Sequence, residues 1–133
     1  MGNENNKSIA VNENSSPREL ANAIIGILDE KKANGLKLLY VENKTIIADY
    51  FIICSGTSNT QIKALANEVE FRLAEAGINP SHIEGLNEAS WILLDYASVI
   101  VHIFNSETRN FYNLEKLWKD SEEIDISSYL TKM

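Results

Sequence analysis

The sequence predicts a single compact α/β domain in which helices flank a mixed β-sheet. Three observations support this fold class. Two segments carry apolar residues at helical spacing, and each opens with residues that cap a helix N-terminus. Residues 50–54 are apolar throughout, which is typical of a central strand covered on both faces. Residues 91–104 alternate as two strands around a tight turn do, and the predicted order of elements is α-β-β-α-β-β-β-α.

The first helix has a clear start signal. Ser16 can cap it, Pro17 suits the first helical position, and Glu19 can complete a capping box. Apolar residues then recur at helical spacing. We therefore expect the helix to run to about Asn34, with Gly35 as the left-handed residue after its last turn.

The next elements are a strand, the central apolar strand and a second helix. Residues 36–41 predict the first strand. After the central strand, Ser58 followed by Gln61 repeats the capping-box pattern. An apolar stripe then predicts a helix over roughly residues 59–76, which Gly77 stops.

A short strand at residues 82–84 is expected to precede the hairpin of residues 91–104. By the two-residue period of a strand, one face of its first strand carries Trp91, Leu93 and Asp95, and the other carries Ile92 and Leu94. Large apolar side chains thus fall on both faces of the sheet. Either helices cover both faces, or a partner protein covers one.

The two ends of the chain are polar. Asn105 or Ser106 can cap a last helix that reaches about Trp118. The acidic segment after it is expected to pack loosely, and the Asn-, Glu- and Ser-rich N-terminus is expected to be disordered. The expected limits are an N-terminal extension at 1–15, a domain at 16–119 and an acidic tail at 120–133.

Composition argues against several functional classes. A formal charge of −7 and a sequence pI near 4.8 disfavour nucleic-acid binding by phosphate neutralisation, which needs clustered Lys and Arg. The single cysteine, Cys54, allows neither an intramolecular disulfide nor a multi-cysteine metal site. No stretch approaches the roughly 18 apolar residues of a transmembrane helix, and the N-terminus lacks secretory-signal features. We therefore expect a cytoplasmic protein.

Residues 55–58, Ser-Gly-Thr-Ser, are the best candidate for an enzyme site, since a phosphate can bind at the N-terminus of the helix that follows. The turn lacks the pattern of known phosphate-binding loops, which favours a simple cap and turn. A nucleotidyltransferase-like site would also need two carboxylates for Mg²⁺, and Leu93 stands where the partner of Asp95 would be. Asp95 itself suits a turn. Neither His82 nor His102 lies in a metal-binding pattern, so we predict no metal and no cofactor.

Aromatic residues concentrate in the second half of the chain. Aromatic and arginine side chains commonly anchor protein interfaces, and Arg109 lies among them. The same residues would also fill a small core, but Phe111 and Tyr112 adjoin on a helix and cannot both point into it. Both interpretations stay open at this point. The residues concerned are Trp91, Tyr96, Phe104, Phe111, Tyr112 and Trp118.

Several blocks of this sequence resemble the ribosomal silencing factors, also called the Iojap or RsfS family. The blocks are residues 48–58 (ADYFIICSGTS) with Gln61 and Lys63, residues 91–96 (WILLDY), residues 99–104 (VIVHIF), and Arg109 with residues 111–118 (FYNLEKLW). Their order, spacing and residue types agree over about residues 18–119. The chain departs from the family at Ala97-Ser98, where a glycine is frequent, which leaves the local turn geometry open.

The resemblance implies a non-enzymatic factor whose fold is similar to nucleotidyltransferases without their active site. Such factors bind ribosomal protein fourteen of the large subunit, block joining of the small subunit and repress translation in starvation. An acidic chain suits a basic ribosomal protein. The alternatives, a nucleotide-binding enzyme of nucleotidyltransferase type and a homodimer formed through the apolar face, stay open. By position, the resemblance implies partner contacts at Trp91, Leu93, Asp95, Tyr96, Arg109 and Tyr112.

Overall fold

A computed structural model describes residues 11–130. The strands of the described chain are β1 (Asn34–Tyr40), β2 (Tyr50–Gly56), β3 (His82–Glu84), β4 (Trp91–Asp95), β5 (Val99–Asn105) and β6 (Glu122–Ile124). Its α-helices are α1 (Pro17–Glu30), α2 (Asn59–Glu75), α3 (Ser106–Tyr112) and α4 (Leu114–Leu117). The predicted α/β class is confirmed, as is the order of elements from α1 to α3.

The strands form one sheet with the order β3-β4-β5-β2-β1-β6. The central strands β2 and β5 pair in parallel, and their neighbours pair antiparallel, which confirms a mixed sheet. Every residue of β2 is buried, as its continuous apolar run predicts.

Helix α1 begins as predicted and ends early. Ser16 Oγ accepts from the Glu19 N–H at 3.1 Å, and Glu19 Oε1 accepts from the Ser16 N–H at 2.8 Å, so the capping box is complete. The helix ends at Glu30 because Lys32, rather than Gly35, takes the left-handed conformation after the last turn (φ 64°). Gly35 also has a positive φ, of 58°, but it lies inside β1 at an irregularity in the pairing with β2.

Helix α2 follows the prediction closely. Ser58 Oγ accepts from the Gln61 N–H at 3.1 Å, while the Gln61 side-chain oxygen accepts from the Thr57 N–H at 2.6 Å. Gly77 follows the helix with φ 82°, where a left-handed residue is required. The predicted apolar stripe is buried and consists of Ile62, Leu65, Ala66, Val69 and Leu73.

The two faces of the sheet differ in cover. Helices α1 and α2 cover one, the helical face, where the larger core contains Leu38, Tyr50, Ile52, Cys54, Ile92, Leu94, Val99, Val101 and Ile103. The opposite face, called the open face, carries a smaller cluster that includes Leu39, Phe51, Ile53, Ile100 and Phe104. Leu114 and Trp118, from the segment around α4, pack on that cluster from outside the sheet. Helices therefore cover one face well and the other in part.

The C-terminal part corrects two predictions. Asn105 caps α3, its Oδ1 accepting from the Thr108 N–H at 3.0 Å, but Asn113 is left-handed (φ 50°) and divides the predicted last helix into α3 and α4. The segment expected to pack loosely contains β6, which pairs with β1, and the buried side chain of Ile126.

The disorder expected for residues 1–15 falls largely on residues outside the described range, and Val11 packs against the larger core.

Candidate functional site

Aromatic and apolar side chains form a partly exposed surface where α3 meets the open face. We define this aromatic surface as Trp91, Leu93, Phe111 and Tyr112. The Tyr112 ring lies 4.9 Å from Trp91 and 5.0 Å from Phe111 between centroids. Phe111 is 81% exposed and Tyr112 is 50% exposed, while Trp91 and Leu93 are partly buried. Helix α3 and strand β4 thus present adjoining apolar groups to solvent.

Two neighbours on β5 hold Trp91 in place. Its ring stacks on Phe104 at 4.8 Å, and its Nε1–H donates to Nδ1 of His102 at 3.2 Å. His102 is buried, and this burial lowers its pKa to about 4, so the imidazole is neutral. Because Nδ1 accepts, the ring proton is on Nε2, which has no hydrogen-bond partner within residues 11–130. The structural role expected for His102 is consistent with this buried position.

Arg109, predicted as a partner contact, is engaged inside the chain. It donates to Ser55 Oγ at 2.8 Å, to the Gly35 carbonyl at 2.9 Å and to Glu115 Oε2 at 2.7 Å. A Cβ at Gly35 would lie 2.7 Å from the guanidinium, and the positive φ of 58° favours glycine at this position. Burial of Glu115 opposes its ionisation, but the hydrogen bond and the charge of Arg109 outweigh that effect and lower its pKa. Arg109 thus connects α3 to β1, β2 and α4.

Tyr96, predicted as a partner contact, is buried instead. It is only 6% exposed and belongs to the larger core, and burial raises the pKa of its hydroxyl. The strand period explains the error, since Tyr96 shares a face with Ile92 and Leu94. Asp95 lies on the open face, partly exposed, and its carboxylate accepts from the Ala97 N–H at 2.8 Å. Asp95 therefore fills the turn role that the sequence suggested.

The turn at residues 55–58 is occupied by contacts within the chain. Ser55 accepts from Arg109, and Ser58 caps α2. The Thr57 N–H donates to Gln61, so this donor is not available to a phosphate. Across residues 11–130, no three His, Cys, Asp or Glu side chains cluster closely enough to hold a metal ion. None of the helices in that range is long and apolar enough to cross a membrane.

Sequence reasoning left Phe111, Glu84 and Gly85 outside the predicted contact set. Phe111 could have been included, because its position next to Tyr112 on a helix already implied that one of the two rings points outward. Glu84 lies directly opposite Leu93 in the β3–β4 pair, and Gly85 follows it beside Trp91. The positions of Glu84 and Gly85 depend on the pairing of β3 with β4, and a local sequence pattern does not specify that pairing.

Comparison with known proteins gives matches over most of the chain. The profile of a family described as "Ribosomal silencing factor during starvation" matches residues 14–133. The chain is 36% identical over 116 residues to the ribosomal silencing factor RsfS of Halalkalibacterium halodurans, with 87% of this chain and 99% of that one covered. It is 42% identical over 98 residues to RsfS of Bacillus subtilis, with 74% and 83% covered.

A solved structure agrees with the fold. The crystal structure of a Chromobacterium violaceum protein superposes with a TM-score of 0.77 at 32% identity, covering 79% of this chain and 88% of that one. The family profile spans nearly the whole chain, and the curated relatives share more than a third of their aligned residues with it. The chain therefore belongs to the ribosomal silencing factor family.

Proposed function

We propose that this protein binds the large ribosomal subunit in the cytoplasm through ribosomal protein fourteen, blocks joining of the small subunit and so represses translation in starvation. The observation that carries the proposal is the aromatic surface, which α1 and α2 leave uncovered. Phe111 and Tyr112 are both at least half exposed on one short helix beside Trp91. Exposed aromatic clusters of this kind are typical centres of protein interfaces.

Charge supports the same partner. The chain carries 19 acidic and 12 basic residues, and ribosomal proteins bind RNA and are commonly basic. Two carboxylates, those of Glu84 and Asp95, lie on the open face near Leu93. Complementary charge raises the rate of association and fixes orientation, while the apolar centre supplies most of the affinity.

We infer that the action is steric and not catalytic. The engaged turn at residues 55–58 supports this inference over a nucleotidyltransferase-type enzyme. Thermal-shift measurements with Mg²⁺ and each nucleoside triphosphate test it. A clear rise in melting temperature at millimolar nucleotide would favour the enzyme.

Co-sedimentation with isolated large subunits tests the binding surface. Tyr112→Ala and Phe111→Ala are suitable variants because both rings are largely outside the core. Phe71→Ala is the matched control, since Phe71 is 61% exposed but lies on α2, in the helical layer. Truncation of a central interface aromatic should weaken binding by about 2 kcal/mol, roughly thirtyfold, and the control should bind normally.

Two results would contradict the proposal. Unchanged binding by a folded Phe111→Ala/Tyr112→Ala double variant would exclude the aromatic surface as the contact. Binding without any loss of small-subunit joining would exclude the steric block. The competing occupant of the surface is a second copy of the chain. Sedimentation of the protein alone over a range of concentrations tests it, because the Phe111 and Tyr112 rings would in that case also control dimer formation.

A further inference from the structure

A groove of about 200 Å³ lies at the margin of the aromatic surface, beside β3. Trp91 and Leu93 supply its apolar lining, and Glu84 and Gly85 complete it. The Glu84 side chain is 64% exposed, so its carboxylate is in contact with solvent. The groove therefore combines an indole ring, an aliphatic side chain and an exposed negative charge.

Gly85 lets the chain pass close to β4 beside this groove. Its φ is +85°, and a Cβ at this position would lie 2.1 Å from the Trp91 carbonyl oxygen. The chain leaving β3 thus passes directly against the backbone of β4, and residue 85 places no side chain in the groove. A side chain at residue 85 would therefore force this part of the groove lining to move.

The lining matches one long basic side chain. The aliphatic stem of such a residue packs against Trp91 and Leu93, and its cationic head reaches the Glu84 carboxylate. A guanidinium satisfies both contacts, because its plane stacks on an indole and its N–H groups pair with a carboxylate through two hydrogen bonds. None of the four residues that line the groove is a Lys or Arg, so the lining brings no cation of its own.

The nearest internal competitor is His82. Its Nε2 lies 2.6 Å from Glu84 Oε2, and its side chain is 56% exposed. Pairs this exposed contribute little to stability, so an arginine can displace the imidazole at small cost. Asp95 lies directly opposite His82 in the β3–β4 pair and adds a second negative charge on the same face.

We propose that this groove binds one arginine side chain of a basic partner protein. The inference rests on the proposed function, because it assigns the chemistry of one contact within that interface.

The test measures affinity for isolated large subunits with Glu84→Gln and Glu84→Lys. Glu75→Lys is the matched control, because Glu75 is an exposed glutamate on α2 and its replacement changes the net charge equally. We expect Glu84→Lys to lower affinity about tenfold or more, Glu84→Gln about fourfold, and Glu75→Lys by less than about twofold. Replacing the surface arginines of purified ribosomal protein fourteen one at a time should identify one whose loss is not additive with Glu84→Gln.

The outcomes separate this inference from the proposed function. If the unaltered protein binds and Glu84→Lys binds as well as Glu75→Lys, the arginine site is overturned while the proposed function stands. If Leu93→Ala weakens binding and both Glu84 variants do not, the groove accepts an apolar side chain and the inference is again wrong. If the unaltered protein does not bind large subunits at all, the proposed function itself fails.

Discussion

Acidification should destabilise this protein through His102. Burial holds the pKa of this side chain at about 4 in the folded protein, below its ordinary value of 6.5. Between these two values the unfolded chain binds a proton that the folded chain does not. The contribution to stability is therefore fully present above pH 6.5 and decreases as the pH falls towards 4.

The magnitude follows from the two pKa values. Their difference of 2.5 corresponds to about 3 kcal/mol at about 1.36 kcal/mol for each pKa unit, and about 2 kcal/mol of this is already lost at pH 5. The geometry gives the loss a local cause. A second proton must go on Nδ1, which then no longer accepts the Nε1–H of Trp91.

Urea unfolding at several pH values between 7 and 5 measures this effect. His102→Gln removes the titrating group and keeps an acceptor for the Trp91 N–H. From pH 7 to pH 5 its free energy of unfolding should therefore fall by about 2 kcal/mol less than that of the unaltered protein. His82→Gln, which removes the exposed histidine, is the matched control and should behave as the unaltered protein. Equal pH dependence in the unaltered protein and His102→Gln would refute the reasoning.

Three further substitutions test the geometry of the site. Arg109→Gln should lower the free energy of unfolding by about 2 kcal/mol, because it leaves the partly buried Glu115 unpaired. If this variant instead binds ribosomes more weakly with an unchanged urea midpoint, Arg109 is a direct contact. Ala97→Gly should raise the melting temperature by about 2 °C, because Ala97 has φ 70°, and a lower melting temperature would contradict that turn geometry. Gly85→Ala should destabilise by about 2 kcal/mol in urea unfolding through its clash with the Trp91 carbonyl, and an unchanged midpoint would contradict the close approach.

Local patterns predicted much of the fold because their causes are local. Ser16 and Ser58 cap helices through residues only three positions away, and Gly77 ends α2 through its own backbone conformation. The alternation of residues along β4 correctly separated Trp91 and Leu93 from the residues that face the helices. The end of α1 was misplaced because a lysine took the left-handed position that a glycine normally occupies.

The candidate site was less predictable because its contacts join distant parts of the chain. Arg109 resembled an interface anchor in sequence, but its partners at Ser55 and Gly35 lie 54 and 74 positions away. The resemblance implies a partner contact at Tyr96, but this residue follows Asp95 directly, and successive strand residues point to opposite faces. The sequence does not predict β6, because acidic residues such as its glutamates are uncommon in strands. The strand forms through its pairing with β1.

The acidic strand β6 also affects how this protein behaves at high concentration. It pairs with β1 at Leu38, Leu39 and Tyr40, so the outer edge of the sheet on that side is a three-residue strand with Glu122 and Glu123 instead of a longer apolar one. Short, charged edges resist pairing with strands of other molecules. We therefore expect residues 122–124 to oppose edge-to-edge aggregation, while the aromatic surface stays available on the open face.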